Sequence, residues 1–241
     1  MSDALRQENL ELRGLHCHVG SQVFDEDVYE RTVDIMLAFM AEVRDSFGVT
    51  LEELNLGGGY GVRYIESDKH IDIPARVRAL AEHIKALAEK LSYPRPVILM
   101  EPGRSIVADA GMTLYTVSSV KRIPGYKSYV AVDGGMTDNP RYALYGSKYT
   151  VLDVAAPQKT ETFDLAGRCC ESGDIIQPEV SLNAEIKRGD LVAVCTTGAY
   201  NYSMASNYNR VPRPPIVMLG EGGDYLAVRR ETLDDIVSMD V

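Results

Sequence analysis

The first hundred residues repeat one pattern, a short apolar run that ends in glycine or a turn, followed by a stretch of helical period. The runs are GLHCHV (14 to 19), LNLGGG (54 to 59) and PVILME (96 to 101). Between the first two, Val33, Met36, Met40, Val43 and Phe47 recur at three- and four-residue steps, with Asp25 or Asp27 available as a cap and Gly48 as a stop. Between the second and third, Val77, Leu80, Ile84, Leu87 and Leu91 repeat the step behind Asp72 and Pro74, with Pro94 just past the end. Short apolar runs of this kind match strands buried on both faces of a parallel sheet, and their alternation with helices implies right-handed crossovers.

From about residue 105 the pattern changes. TLYTVSSV, KSYVAVDGG, YTVLDVA, ETFDLAG, DLVAVCTTG, PPIVMLG and DYLAVRR are short β-rich segments separated by Gly, Pro, Asn and Asp. They predict an antiparallel barrel or sandwich. The chain therefore divides into an α/β region, 1–104, and an all-β region, 105–241.

Composition narrows the function classes. A formal charge of −10 opposes general affinity for nucleic acid or an anionic membrane, although local anion sites remain open to an acidic protein. No apolar run reaches the roughly 20 residues that span a bilayer, and MSDALRQENLELRG has no signal-peptide core, so a cytoplasmic location is expected. Cys17, Cys169, Cys170 and Cys195 show neither a disulfide framework nor zinc spacing.

In parallel α/β sheets and barrels, functional groups collect at the C-terminal strand ends. His18, the run Gly57-Gly58-Gly59 and Glu101 occupy that place on three successive strands. The glycines let backbone N–H groups approach an anion closely, and a plain tight turn is the other reading. His16 and His18 share a strand face, but no third metal ligand accompanies them. Glu101 is a helix-start anion or a site residue. In the β region, Cys170, Glu171 and Asp174 surround Ser172 and Gly173 in a turn with a thiol and two carboxylates; the structural alternative is a buried cysteine beside a solvated acidic turn. Arg141 and Tyr145 would neighbour each other on a helix, or else Arg141 forms a surface salt bridge.

Taken together and in order, HVGSQ, LNLGGGYG, EPGRS, DGGMTDNPRYALYG, CCESGD and GAYNYSMASNYN resemble the C-terminal part of a diaminopimelate decarboxylase. The resemblance implies a pyridoxal 5'-phosphate enzyme built from a partial (β/α) TIM-type barrel of the alanine-racemase type followed by a β-barrel or sandwich domain. It implies that His18 stacks on the cofactor ring, that Ser21, Gly58 and Gly59 lie at the phosphate, and that Glu101 pairs with the pyridine nitrogen. Gly103, Arg104 and Tyr200 are further cofactor contacts, His16 is structural, and Cys170 returns a proton to the α-carbon. Arg104, Arg141, Tyr145 and Glu171 would receive the distal amino-acid head of meso-diaminopimelate. CES, where related ornithine decarboxylases usually carry aspartate after the cysteine, favours that substrate.

The resemblance also implies a homodimer, with the CESGD turn of one subunit reaching the cofactor held by the other. One departure stands out: the family's cofactor-binding lysine lies in a YAxKAN-like segment ahead of HVGS, and none of Lys85, Lys121, Lys127 or Lys148 has that context. A full barrel takes about 250 residues, so the barrel portion here is expected to be truncated and inactive alone, with a separate chain supplying the remaining half. A non-catalytic regulatory homologue and an ornithine or arginine decarboxylase of the same fold are the alternative functions.

Overall fold

The computed structural model describes residues 1–25, 27–155 and 157–241. They form two compact units, one of Met1–Arg63 with Asp68–Ile106, the other of Tyr64–Ser67 with Val107–Val241.

The first unit runs α1 (Ser2–Leu5), β1 (Gly14–His16), α2 (Val28–Phe47), β2 (Glu53–Asn55), α3 (Ile73–Lys90) and β3 (Val97–Leu99), with α4 (Gly103–Val107) beginning at its end. β1, β2 and β3 pair in parallel in that order. α2 stops where expected, at Gly48, whose φ of 69° is the left-handed conformation glycine adopts without strain. α3 starts on Asp72, whose carboxylate accepts the Ala75 N–H, with Pro74 in the first turn.

Leu15, Leu54 and Ile98 point from the three strands into one cluster with Val33, Leu37, Met40, Leu80 and Ile84. Phe47 and Val77, expected on the buried helix faces, are 46% and 38% exposed. They sit towards the helix ends; Val33, Met40 and Val43 are buried as expected, joined by Leu37 and Ala41. The expectation of strands buried on both faces is corrected for β3. Side chains alternate across a strand, and while Ile98 faces the helices, Val97 is 63% exposed.

The second unit contains β4 (Met112–Arg122), β5 (Ser128–Val132), α5 (Arg141–Tyr145), β6 (Val151–Asp153), β7 (Thr160–Ala166), β8 (Ile175–Asn183) and β9 (Leu191–Cys195), then β10 (Ile216–Met218), β11 (Tyr225–Val228) and α6 (Leu233–Val237). Its main sheet is ordered β6-β9-β4-β5-β7-β8. The pairing is antiparallel except between β5 and β7, which run parallel, so the wholly antiparallel expectation is corrected there. The outer strands also meet, since the Asn183 N–H donates to Asp153 Oδ2 at 3.2 Å, and the sheet curls around Phe163, Leu165, Ile176, Leu182, Val117 and Val130.

β8 carried no clear sequence signal. Pro178 interrupts it and Glu179 takes a φ of 54°, a local break absorbed by the buried carboxylate of Asp164, which accepts the Glu179 N–H at 3.0 Å and the Lys127 ammonium at 2.6 Å. β10 and β11 form a separate hairpin. Among the described residues no helix is long and apolar enough to cross a membrane.

Candidate active site

In the first unit the loops after β1, β2 and β3 are stitched into one surface. His18 Nδ1 accepts the Gly58 N–H at 3.1 Å. The Val23 N–H donates to Gly59 O at 2.9 Å, and the Gly61 N–H returns to Val23 O at 3.1 Å. Gln22, at a φ of 57°, bonds Val62 through both ends of its amide, at 3.0 and 2.9 Å. Beneath them the Tyr29 hydroxyl donates to Gly58 O at 2.9 Å while its ring stacks on Tyr60 at 4.4 Å, and burial raises the phenol's pKa.

The glycines are required by close approach. A Cβ on Gly58 would stand 2.0 Å from Glu101 O, and one on Gly59, whose φ is 99°, would stand 2.1 Å from Gly20 O. Gly58 spends its N–H on His18, so its part in any phosphate cradle is to bring the loops together.

Glu101 follows β3 and is 55% exposed along its side chain. Its Oε1 accepts Asn55 Nδ2 at 2.8 Å and lies 3.6 Å from His16 Nε2, and Asn55 Oδ1 in turn accepts the Gly57 N–H at 2.8 Å. His16 is therefore an exposed neighbour of the carboxylate, whereas the resemblance made it structural. Asn55 is a residue that sequence reasoning missed; its signal was a polar side chain at the end of an apolar run, directly before the glycines. Arg104 is buried and donates to Ser21 Oγ at 3.0 Å, placing its guanidinium at the HVGSQ loop beside Gly103. Among the described residues no three His, Cys, Asp or Glu side chains form a metal-binding group.

In the second unit Arg141 opens α5 and is 8% exposed. Its guanidinium lies 5.2 Å from the Tyr145 ring and 5.7 Å from the Tyr200 ring, with Nη1 3.9 Å from Met204 Sδ. The surface salt bridge does not form. Arg141 Nε, both amide atoms of Asn139 and Asn201 Nδ2 are buried without a partner among the described residues. Orphaned donors and acceptors of this kind cost about 1–3 kcal/mol each, a deficit that an acidic group or water entering the region would reduce. Tyr200 holds a φ of 63°, the left-handed conformation uncommon for a non-glycine. Nearby, Asp138 accepts the Tyr115 hydroxyl and the Gly135 N–H, and burial raises its pKa.

The CCESGD turn is not a buried cysteine beside solvated acids. Cys170 and Glu171 are exposed, and Asp174 is buried. The Cys170 N–H donates to Asn209 Oδ1 at 3.2 Å. Cys169 is half-buried, and burial followed by the nearby Asp174 carboxylate pushes its thiol up to about 11.

Residues 1–108 match the family of pyridoxal-dependent decarboxylases in its pyridoxal binding domain. The diaminopimelate decarboxylase of Bacillus subtilis is 46% identical over 246 residues, an alignment that takes in 100% of this chain and 55% of that protein. The crystal structure of the M. jannaschii diaminopimelate decarboxylase in complex with L-lysine superposes with a TM-score of 0.93 at 32% identity, covering 100% of this chain and 54% of the other. The Helicobacter pylori diaminopimelate decarboxylase, also complexed with L-lysine, gives 0.86 at 30% identity over 99% and 57% of the two chains. The chain thus spans about half the length of the relatives it matches, and resembles part of a diaminopimelate decarboxylase from end to end.

Proposed function

We propose that this chain, similar along its whole length to diaminopimelate decarboxylases, forms part of such an enzyme, releasing carbon dioxide from meso-2,6-diaminopimelate to give L-lysine. The observation that carries this is the single surface built from three consecutive strand ends, in which His18, Gly57 to Gly59 and Glu101 are held by mutual hydrogen bonds. The residues fit pyridoxal 5'-phosphate: a partly exposed carboxylate with a fixed orientation for the ring nitrogen, and a buried guanidinium at Ser21 for the phosphate. When bound, that cofactor supplies a ring that accepts the electron pair left as carbon dioxide departs.

In this reading Glu101 faces the pyridine nitrogen and keeps a proton there, and Asn55 aims it. His18, with Nδ1 committed to Gly58, covers the ring. Gly59 and Ser21 take the phosphate side, together with Gly103 and Arg104. Arg141 receives the distal carboxylate of the substrate as a planar fork, Tyr145 and Tyr200 flank it, and Glu171 takes the distal ammonium. Cys170 returns a proton to the α-carbon. We assign the groups of the first unit to the cofactor and those of the second to the substrate head and the proton return, in an enzyme that is a homodimer in the cytoplasm.

The test is complementation. The chain is mixed with the remaining portion of a full-length relative, supplied as a separate polypeptide, and carbon dioxide release is followed with meso-diaminopimelate and with ornithine. Preferential release from diaminopimelate supports the proposal. Faster turnover of ornithine, or none of either beside an active full-length control, overturns it.

A further inference from the structure

Asp174 looks from its neighbours in the sequence like one more solvated acid on an exposed turn. It is instead 3% exposed. Its Oδ1 accepts the Met136 N–H at 2.6 Å and its Oδ2 accepts the Cys169 N–H at 2.7 Å. Its backbone continues the same junction, with its carbonyl accepting the Gly167 N–H at 2.8 Å and its own N–H donating to Glu171 O at 3.1 Å. Two glycines make room for the carboxylate. A Cβ on Gly167 would lie 2.2 Å from both oxygens, and one on Gly135 would lie 2.6 Å from Oδ1. One buried carboxylate therefore joins two loops far apart in sequence. The first is the segment after β5 that leads through Asp138 and Asn139 to Arg141, and the second is the turn that presents Cys170 and Glu171.

We propose that Asp174 is a positioning residue for Cys170: its carboxylate fixes the 169–173 turn against the 134–138 loop, setting where the Cys170 thiol and the Glu171 carboxylate stand relative to Arg141. The functional part of this inference rests on the reading of Cys170 as the proton donor. The geometric part does not. Two backbone N–H groups donating to one buried carboxylate make bonds of the strong kind, and their rigidity suits a group that must hold a proton at a defined point. Burial first, and the same carboxylate after it, disfavour the Cys169 thiolate, and Cys170 is the more exposed member of the vicinal pair.

Three measurements test the inference. In the first, the 241-residue chain is alkylated with iodoacetamide at fixed pH, and Cys169 and Cys170 are quantified separately by peptide mass spectrometry. Cys170 is expected to react at least about 10-fold faster than Cys169 in the parent chain, and the ratio to fall several-fold in Asp174→Asn. An unchanged ratio in a folded variant overturns the proposal. In the second, which needs no variant, amide hydrogen exchange is read for Met136 and Cys169, which should open together and slowly; rapid exchange at either overturns it.

The third is a double-mutant cycle in the complemented decarboxylase. If Asp174 acts through Cys170, adding Asp174→Asn to Cys170→Ser costs little more kcat than Cys170→Ser alone. Additive losses would mark Asp174 as merely structural. Full activity of Cys170→Ser would instead remove the proton-donor reading while leaving the labelling and exchange results to judge the positioning.

Discussion

Asn55 grips Glu101 with its amide nitrogen at 2.8 Å and the Gly57 N–H with its amide oxygen at the same distance, so one side chain sets both the carboxylate at the end of β3 and the start of the glycine run. Replacing Asn55 by Ala frees the carboxylate and leaves the Gly57 N–H unpaired. Pyridoxal phosphate affinity, followed by absorbance titration, should fall about 10-fold, the equivalent of one or two ordinary hydrogen bonds. Because Asn55 is only half-buried, the unfolding midpoint should change little. Unaltered affinity would show that Glu101 needs no such guide.

Gly58→Ala should act in the opposite way, on folding. The added methyl would have to occupy space 2.0 Å from a backbone oxygen, which no rotamer change can relieve. A loss of about 3 kcal/mol or more in urea unfolding, or failure to accumulate as folded protein, is expected.

Arg141→Lys keeps the charge and removes the planar fork between Tyr145 and Tyr200. In the complemented enzyme the KM for diaminopimelate should rise about 10- to 100-fold, as expected when charge-assisted bonds are lost, with cofactor binding preserved. Loss of cofactor binding instead would move Arg141 to the phosphate side.

Glu231 ties its own segment to the 207–213 segment. Its carboxylate accepts the Arg213 N–H at 2.8 Å, the Arg213 guanidinium at 2.6 and 2.7 Å and Asn207 Nδ2 at 2.6 Å, and these bonds, Arg213 first, hold its pKa down to about 2. A depressed carboxylate contributes stability that is present above its unfolded value near 4.3 and is lost as pH falls through its folded value. Urea unfolding of Glu231→Gln should therefore show its largest deficit against the parent chain at neutral pH, with the two curves converging by about pH 2. A constant deficit across that window would mean that the contribution is not ionic.

Association is the remaining prediction. Val97 and Leu99 on one face of β3, and Val217, Leu219 and Leu226 around the β10–β11 hairpin, are exposed apolar side chains. Light scattering at micromolar concentration should report a species larger than one chain, and a well-behaved monomer would overturn the proposed homodimer.

Much of the first unit could be read in the sequence because each of its elements closes on a neighbour: Gly48, Asp72 and Pro74 act within a few residues of where they stand. The strand-end placement of His18, the glycines and Glu101 followed from the same local grammar. What escaped was set by distant chain. β8 continues as a strand past the break at Glu179, which Asp164 satisfies, and β5 can run parallel to β7 because α5 and β6 lie between them and let the chain cross back. Asp174 is buried only because Gly135 and Gly167, from two other segments, leave room for it. Asn55 was overlooked because its two partners come from different strands, and no periodicity marks a residue that serves both.

The pairing of β4 with β9, Met112 opposite Cys195, has a consequence in time. β1 to β3 and their helices make contacts that can form as the chain emerges, and the far half of β4 pairs at once with β5, whereas Met112–Thr116 must wait until β9 has been made, some 80 residues later. At about 5–20 residues per second of synthesis, that is an interval of about 4–16 seconds. Throughout it, Tyr115 lacks its partner Val192 on β9. Slow, nonlocal closure of this kind exposes a nascent chain to misassembly, and the yield of folded second unit should depend on how quickly the ribosome delivers β9.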